Sequence, residues 1–341
     1  MELFRIAVAG CGGMANTWVS YAQERDDARI VALVDIAEEN AKNMAERYHL
    51  NCGIYRDIGE AIKDSGANLV FNVTVPEAHY HITTTALKMG CHVLSEKPMA
   101  SSLEEAEEMV AIAQEAGKMF AVMQNRRYLK NIRAFHDLIK EGTIGAPGFV
   151  CADFFLGPHF GGFREVMDSP LILDMAIHTF DQARFITGAD PVSVYCHEFN
   201  PPGSWYKGNA AAACIFELSD GSVFSYRGSW CAEGAPTSWE SSWRITGSRG
   251  TAIWDGIAAP YGEIVADSDS QEFIRKTERV EATLSWSGRE GHWGCLDEMF
   301  SALLESRKAE TDCTDNIKSV AMVFGALQSA KRGQKIALQR E

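Results

Sequence analysis

Long hydrophobic runs are missing from this chain of 341 residues. Its longest fully apolar stretches are 30–34 and 210–216, far short of the roughly 18 residues that a membrane-spanning helix needs. Met1-Glu2-Leu3-Phe4-Arg5 leads straight into a buried-strand pattern, so no signal peptide is expected. Basic runs are scarce too: 32 Lys and Arg against 46 Asp and Glu leave a net charge of −14. Such a chain lacks the electrostatic footprint for gripping phosphate backbones, which argues against nucleic acid and for a neutral or polar small molecule. The nine cysteines form no C-x-x-C pair. Scattered thiols in odd number read as reduced packing residues of a cytoplasmic protein, with no disulfide and no metal expected. With 46% apolar and 23% charged residues, the composition is globular, and the length suits about two domains.

Two periods alternate through the first 120 residues. Short β-branched runs at 5–9, 30–34, 69–73, 92–94 and 119–123 are separated by amphipathic stretches at 14–25, 38–48, 77–89 and 103–116. Strand and helix in strict alternation predict a doubly wound parallel sheet, an α/β Rossmann domain over 1–124. Ser101 and Ser102 each precede a Glu by three residues, a double capping box for the helix at 103 that Gly117 closes. Beyond about 145 the texture changes to hairpins, with tight turns at 219–222 and 247–250 and one strong helix from Pro170 to about Thr187. The expectation is a C-terminal α+β domain over 125–341 with a predominantly antiparallel open sheet, its terminal helix free to pack back on the first domain. Two more helices are expected near 291–306 and 315–332. Phe216, Phe224, Tyr226 and Trp243 are assigned to an open sheet face, which a second copy would cover in a homodimer or homotetramer.

Gly10-Cys11-Gly12-Gly13-Met14-Ala15 follows the first strand and opens the first helix. It satisfies G-x-G-x-x-G/A: a tight turn, a close backbone approach and a small residue where helix meets strand, placing a pyrophosphate at the helix N-terminus. Asp35 ends the second strand 20 residues after Ala15, where an acid takes ribose hydroxyls. Ile36 and Ala37 offer nothing to a 2′-phosphate, so NAD is favoured over NADP. Glu96-Lys97-Pro98 ends the strand at 92–94, on the carboxyl side where ligands bind an open α/β sheet. A lysine beside a carboxylate there suits proton transfer with a substrate hydroxyl.

The glycine turn, Asn72-Val73-Thr74-Val75-Pro76-Glu77-Ala78-His79 and His92-Val93-Leu94-Ser95-Glu96-Lys97-Pro98 together resemble the Gfo/Idh/MocA oxidoreductase family. The likeness runs along essentially the whole chain, through Asp174-Met175-Ala176-Ile177-His178 to the stretch 329–336. It implies that Thr74, Pro76 and His79 line the dinucleotide, and that Glu96 and Lys97 flank the nicotinamide, often with a cis Lys–Pro bond. Ala176 and Ser169-Pro170 depart from the family's pattern, where glycines usually stand, which bears on pocket shape.

Ser169 as N-cap and Pro170 at the first helical position start a helix cleanly. Asp174 and His178 are i,i+4 neighbours on it, with Asp181 a turn further, among Ile172, Met175, Ile177 and Phe180. Polar groups in so apolar a helix need a reason: an acid/base His178 positioned by Asp174, or a satisfied buried pair. After the strand at 119–123, Asn125 is expected to border the nicotinamide and Arg127 the substrate. For Arg127 the bland alternative is a structural carboxylate partner. The segment 158–164 reads as a mobile loop offering His159 and Arg164 to a sugar, and Trp230 as a stacking surface or a core residue.

These readings converge on hydride transfer between NAD and a secondary alcohol or ketone of a carbohydrate. Lys97, Asp174 and His178 are the catalytic group, and whether Lys97 or His178 is the formal base stays open. The alternatives are a redox-neutral glycoside cleavage or epimerisation on tightly held NAD, and a non-catalytic NAD-binding regulator. The absence of a Tyr-x-x-x-Lys pair disfavours a short-chain dehydrogenase.

Overall fold

The computed structural model describes residues 3–338, which divide into two compact units. The first comprises residues up to Asn125 with His292–Val320. Its elements are β1 (Phe4–Ala9), α1 (Ala15–Gln23), β2 (Ala28–Val34), α2 (Glu38–Arg47), β3 (Gly53–Tyr55), α3 (Ile58–Ser65), β4 (Leu69–Asn72), α4 (Pro76–Lys88), β5 (His92–Ser95), α5 (Leu103–Ala116) and β6 (Phe120–Val122). The strands form one parallel sheet in the order β3-β2-β1-β4-β5-β6. The order reverses direction between β1 and β4, which opens a crevice at their carboxyl ends.

Of the two capping signals at α5 one acts: Ser102 Oγ accepts the Glu105 N–H at 3.1 Å and Glu105 accepts the Ser101 N–H at 3.0 Å, while the Ser101 hydroxyl donates to Pro76 O at 3.2 Å instead of capping. Gly117 closes that helix in the left-handed conformation. The pair β3 and α3 escaped the periodicity reading because β3 is three half-buried residues. Its helix nevertheless carried legible punctuation, an Asp57 N-cap on Glu60 N–H and a left-handed Gly66.

The second unit is Arg126–Gly291 with the chain from Ala321 onward. A 3₁₀ turn at Asn125–Tyr128 leads to α6 (Lys130–Lys140), β7 (Pro147–Phe155) and the short α7 (Phe163–Val166). A π-helical stretch, Leu171–Ala176, runs into α8 (Ile177–Thr187). Then come β8 (Pro191–Phe199), β9 (Ala211–Leu218), β10 (Val223–Ser229), β11 (Ser242–Gly247), β12 (Gly250–Trp254), β13 (Tyr261–Val265) and β14 (Thr277–Glu281). After α9 (Gly291–Leu304) and α10 (Cys313–Arg332), β15 (Ile336–Ala337) ends the sheet. The order is β14-β13-β12-β11-β7-β10-β9-β8-β15, antiparallel except where β7 and β10 run parallel. The helix α9 packs in the first unit, where Phe300 meets Phe4 at 5.2 Å and Tyr21 at 5.5 Å between ring centroids.

The assignment of the sheet's open face is corrected by the register. Phe216, Phe224, Tyr226 and Trp243 are buried, and Phe180 of α8 lies against Phe216 at 4.9 Å and Tyr226 at 5.2 Å. Side chains alternate along a strand, so the open face instead carries Phe149, Tyr195, Phe199 and Ile215, all exposed. Among the described residues no helix is long and apolar enough to cross a membrane.

Candidate active site

The first unit builds a dinucleotide cradle. After β1 the chain turns at Gly10, whose φ is +86°. A Cβ there would stand 2.5 Å from Val73 O at the end of β4, so backbone sterics exclude any side chain. Gly12 and Gly13 face open space, Met14 is the exposed N-cap position, and Ala15 starts α1 without an acidic residue in its first turn. Free amides and an unopposed dipole suit a pyrophosphate. Asp35 is pinned just beyond β2: its Oδ2 accepts the Cys11 N–H at 2.9 Å and its Oδ1 the Ala37 N–H at 2.8 Å. Beside it Ile36 is 82% exposed. The residues present therefore fit NAD, whose phosphates the loop amides would hold and whose ribose Asp35 would hold.

On the other side of the crevice, Thr74 Oγ1 donates to Asn72 Oδ1 at 2.7 Å and Pro76 begins α4. His79 departs from the expected cofactor contact. It is fully buried, with Nδ1 2.7 Å from Pro98 O and Nε2 3.1 Å from Thr74 O. It braces two loops from beneath, and burial depresses its basicity. The Lys97–Pro98 bond is cis. Glu96, nearly buried, accepts the Trp18 indole N–H on Oε1 at 2.8 Å and the Lys97 backbone N–H on Oε2 at 3.3 Å.

The second unit carries Asp174 and His178 on one continuous rod, but its first turns are π-helical rather than α-helical. Such wide turns recur at functional sites. Ser169 does not cap this helix with its hydroxyl, because Oγ donates to Glu198 Oε2 of β8 at 3.1 Å. Asp174 Oδ2 accepts from Arg164 Nε at 2.6 Å, and His178 is 7% exposed. The Arg164 guanidinium also lies over Phe160 at 5.0 Å and Phe163 at 4.7 Å, so the 158–164 segment is tied to the helix that bears Asp174.

Two substrate assignments are corrected. Arg127 is buried and bidentate on Asp181, with both N···O distances 2.7 Å, which is the structural partnership named as its alternative. Asp181 also has Arg184 at 3.9 Å, so its charge is committed. Trp230 is 2% exposed and stacks on Tyr206 at 5.9 Å, a wall residue rather than an open platform. His159 remains exposed, stacked on Trp205 at 3.8 Å and 3.1 Å from Glu233. Among the described residues no cluster of metal-ligating side chains occurs.

Sequence reasoning missed Glu198, Tyr206, His292 and the Arg126–Glu240 pair, 3.8 Å apart. None has a local motif, since each partner lies on a distant segment. Burial opposes charge on both members of that pair, lowering the Arg126 pKa and raising that of Glu240.

The first unit's dinucleotide crevice at the switch point of a parallel sheet, and the second unit's sheet with Asp174 and His178 on its helix, define the class: an NAD-binding Rossmann oxidoreductase. Residues 4–124 match the oxidoreductase family with NAD-binding Rossmann fold, and residues 132–253 match the GFO/IDH/MocA C-terminal domain. The chain belongs to the GFO/IDH/MocA family. It is 31% identical to 1,5-anhydro-D-fructose reductase of Ensifer adhaerens over 55% of this chain and 57% of that one. To D-apiose dehydrogenase of Rhizobium rhizogenes it is 26% identical over 97% and 96%. An oxidoreductase from Agrobacterium radiobacter, solved with NAD+, L-tartaric acid and magnesium, shares the fold with a TM-score of 0.85 at 23% identity, covering 99% of both chains.

Burial pushes the Glu198 carboxyl from the ordinary 4.5 up to about 7, against the opposing Ser169 hydrogen bond. The folded chain therefore holds that proton to higher pH than the unfolded chain, and stability falls as pH rises from about 4.5 to about 7. Glu198→Gln should raise Tm above pH 7 and leave it unchanged or lower at pH 5. Equal shifts at both pH values in thermal scans would contradict this.

Proposed function

We propose that the protein transfers a hydride between NAD and a secondary alcohol or ketone of a sugar, polyol or glycoside. The observation that carries this is the i,i+4 placement of a half-buried Asp174 and a buried His178 on an apolar helix, with Asp174 held by an arginine rather than left as a solvated face. Relatives named as reductase or dehydrogenase of anhydrofructose, glucoside, inositol and apiose support the substrate class.

When bound, the nicotinamide supplies the hydride acceptor or donor. Lys97 takes the hydroxyl proton as the alcohol is oxidised, and returns it in reduction. His178 shares that proton transfer or takes it over, with Asp174 fixing its ring. Glu96 and Asn125 shape the nicotinamide end, while Gly12, Gly13, Met14 and Ala15 hold the phosphates. Asp174 accepts and Arg164 and Lys97 donate hydrogen bonds, a mixture suited to adjacent hydroxyls. The exposed residues Phe149, Tyr195, Phe199 and Ile215 make the open sheet face the contact between copies, at least a dimer.

NAD should bind more tightly than NADP, because a carboxylate at Asp35 repels a 2′-phosphate. Asp35→Ser with Ile36→Arg should narrow or reverse the ratio of the two dissociation constants. A wild-type preference for NADP would overturn the assignment.

Lys97→Ala should lower kcat by roughly 10²–10⁴ on whichever member of an inositol, aldose and anhydrosugar panel is turned over. Dinucleotide affinity should stay within a few fold. His178→Ala should behave alike, and the double variant should lose less than the two losses combined. Turnover of aliphatic alcohols alone would sink the substrate class, and a near-wild-type kcat would remove Lys97.

Ile215→Glu should shift the particle seen by light scattering towards the monomer. A wild-type monomer at micromolar concentration would refute the sheet-face contact.

A further inference from the structure

Lys97 ends the segment that follows β5, and the first turn of α9 brings His292 to the same corner of the first unit. The chain enters α9 through Gly291, whose φ is +65°, and the His292 side chain is 26% exposed. Its Nδ1 lies 3.3 Å from Asn125 Nδ2, and its Nε2 lies 3.7 Å from Glu96 Oε1. An amide NH₂ only donates, so Nδ1 accepts and the ring proton belongs on Nε2, directed at the Glu96 carboxylate. Protonating Nδ1 would set donor against donor. The geometry thus favours a neutral imidazole, and burial together with the nearby Lys97 cation also lowers its basicity, against the pull of Glu96.

Glu96 is gripped from three directions. Trp18 of α1, itself fully buried, donates to Oε1 at 2.8 Å, the Lys97 backbone N–H reaches Oε2 at 3.3 Å, and the His292 ring closes the remaining side. The charges facing His292 are Glu96 and Lys97, and Trp18 and Asn125 add uncharged groups. An imidazolium at this point would take the Glu96 charge for itself and repel the Lys97 ammonium. A neutral ring does neither.

We propose that His292 is a positioning residue for Lys97, holding Glu96 in place as an anion that no second cation neutralises. It does not touch the reacting atoms. It acts by fixing the carboxylate that sets the electrostatic surroundings of the lysine. This role rests on Lys97 being the base, as argued above, so one arm of the test avoids turnover altogether.

In that arm, imidazole ¹H–¹⁵N spectra of the whole protein identify the His292 signals by their loss in His292→Gln. The Nε2–H tautomer should be seen at pH 7, with a midpoint below the ordinary histidine range. Lys97→Met should move that midpoint up and Glu96→Gln should move it down. A midpoint indifferent to both changes, or the opposite tautomer, would overturn the proposal. In the second arm, the pH profile of kcat for alcohol oxidation is compared among variants. His292→Gln, neutral and able to donate to Glu96, should keep the limb set by Lys97 deprotonation where it is. His292→Arg, a cation at every pH, should move that limb down by about one unit. Identical limbs in the arginine variant and wild type would also overturn it. If no sugar is turned over, the substrate reading fails while the spectra still decide the coupling.

Discussion

Everything the first unit offers a ligand depends on one close approach, that of Gly10 to the end of β4. An added Cβ would stand 2.5 Å from Val73 O and 2.7 Å from Thr74 N. Without it the two central strands end level, the turn leaves the sheet at φ +86°, and the amides that follow are free for phosphate. The same closeness puts the Cys11 N–H within reach of Asp35, so the phosphate loop and the ribose-side acid are fixed by one backbone geometry.

Buried charge organises the rest. Arg127 and Asp181 are closed on each other at 5% and 2% side-chain exposure. Removing one partner of such a pair generally costs about 3–5 kcal/mol because the other charge is stranded. Asp174, by contrast, is paired with Arg164 at 32% exposure, a contact that solvent or substrate can reach. The difference in burial separates the structural pair from the candidate functional one, although both join an arginine to an aspartate of the same rod. Glu198, bonded to Ser169 where that rod begins, is a third charge whose environment governs its protonation.

The two sides of the second sheet divide labour through register. Phe180 of α8 meets the inward Phe216, Phe224 and Tyr226, which anchors the helix bearing His178 to the sheet. A shift of one residue in β9 would exchange Phe216 for Ile215 and undo that anchoring. The aromatic residues therefore serve the helix, and the alternate positions Phe149, Tyr195, Phe199 and Ile215 are exposed.

The sequence alone determined the alternation of strand and helix, the glycine turn with Asp35, the capping box of α5, and the Asp174–His178 spacing. Each is a local pattern whose physical cause spans a few residues: period, cap or turn. It also carried Glu96-Lys97-Pro98 to the carboxyl end of a strand by topology. Only the tertiary structure decided which polar residues are spent on one another. Arg127 and Asp181 lie 54 positions apart, and of the two histidines assigned to binding His159 is exposed whereas His79 is buried. His292 lies 167 positions from Asn125, so no window of sequence contains both. Which sheet face is open likewise followed from where α8 lands, because period-two alternation fixes that two faces exist but not which one a helix will cover.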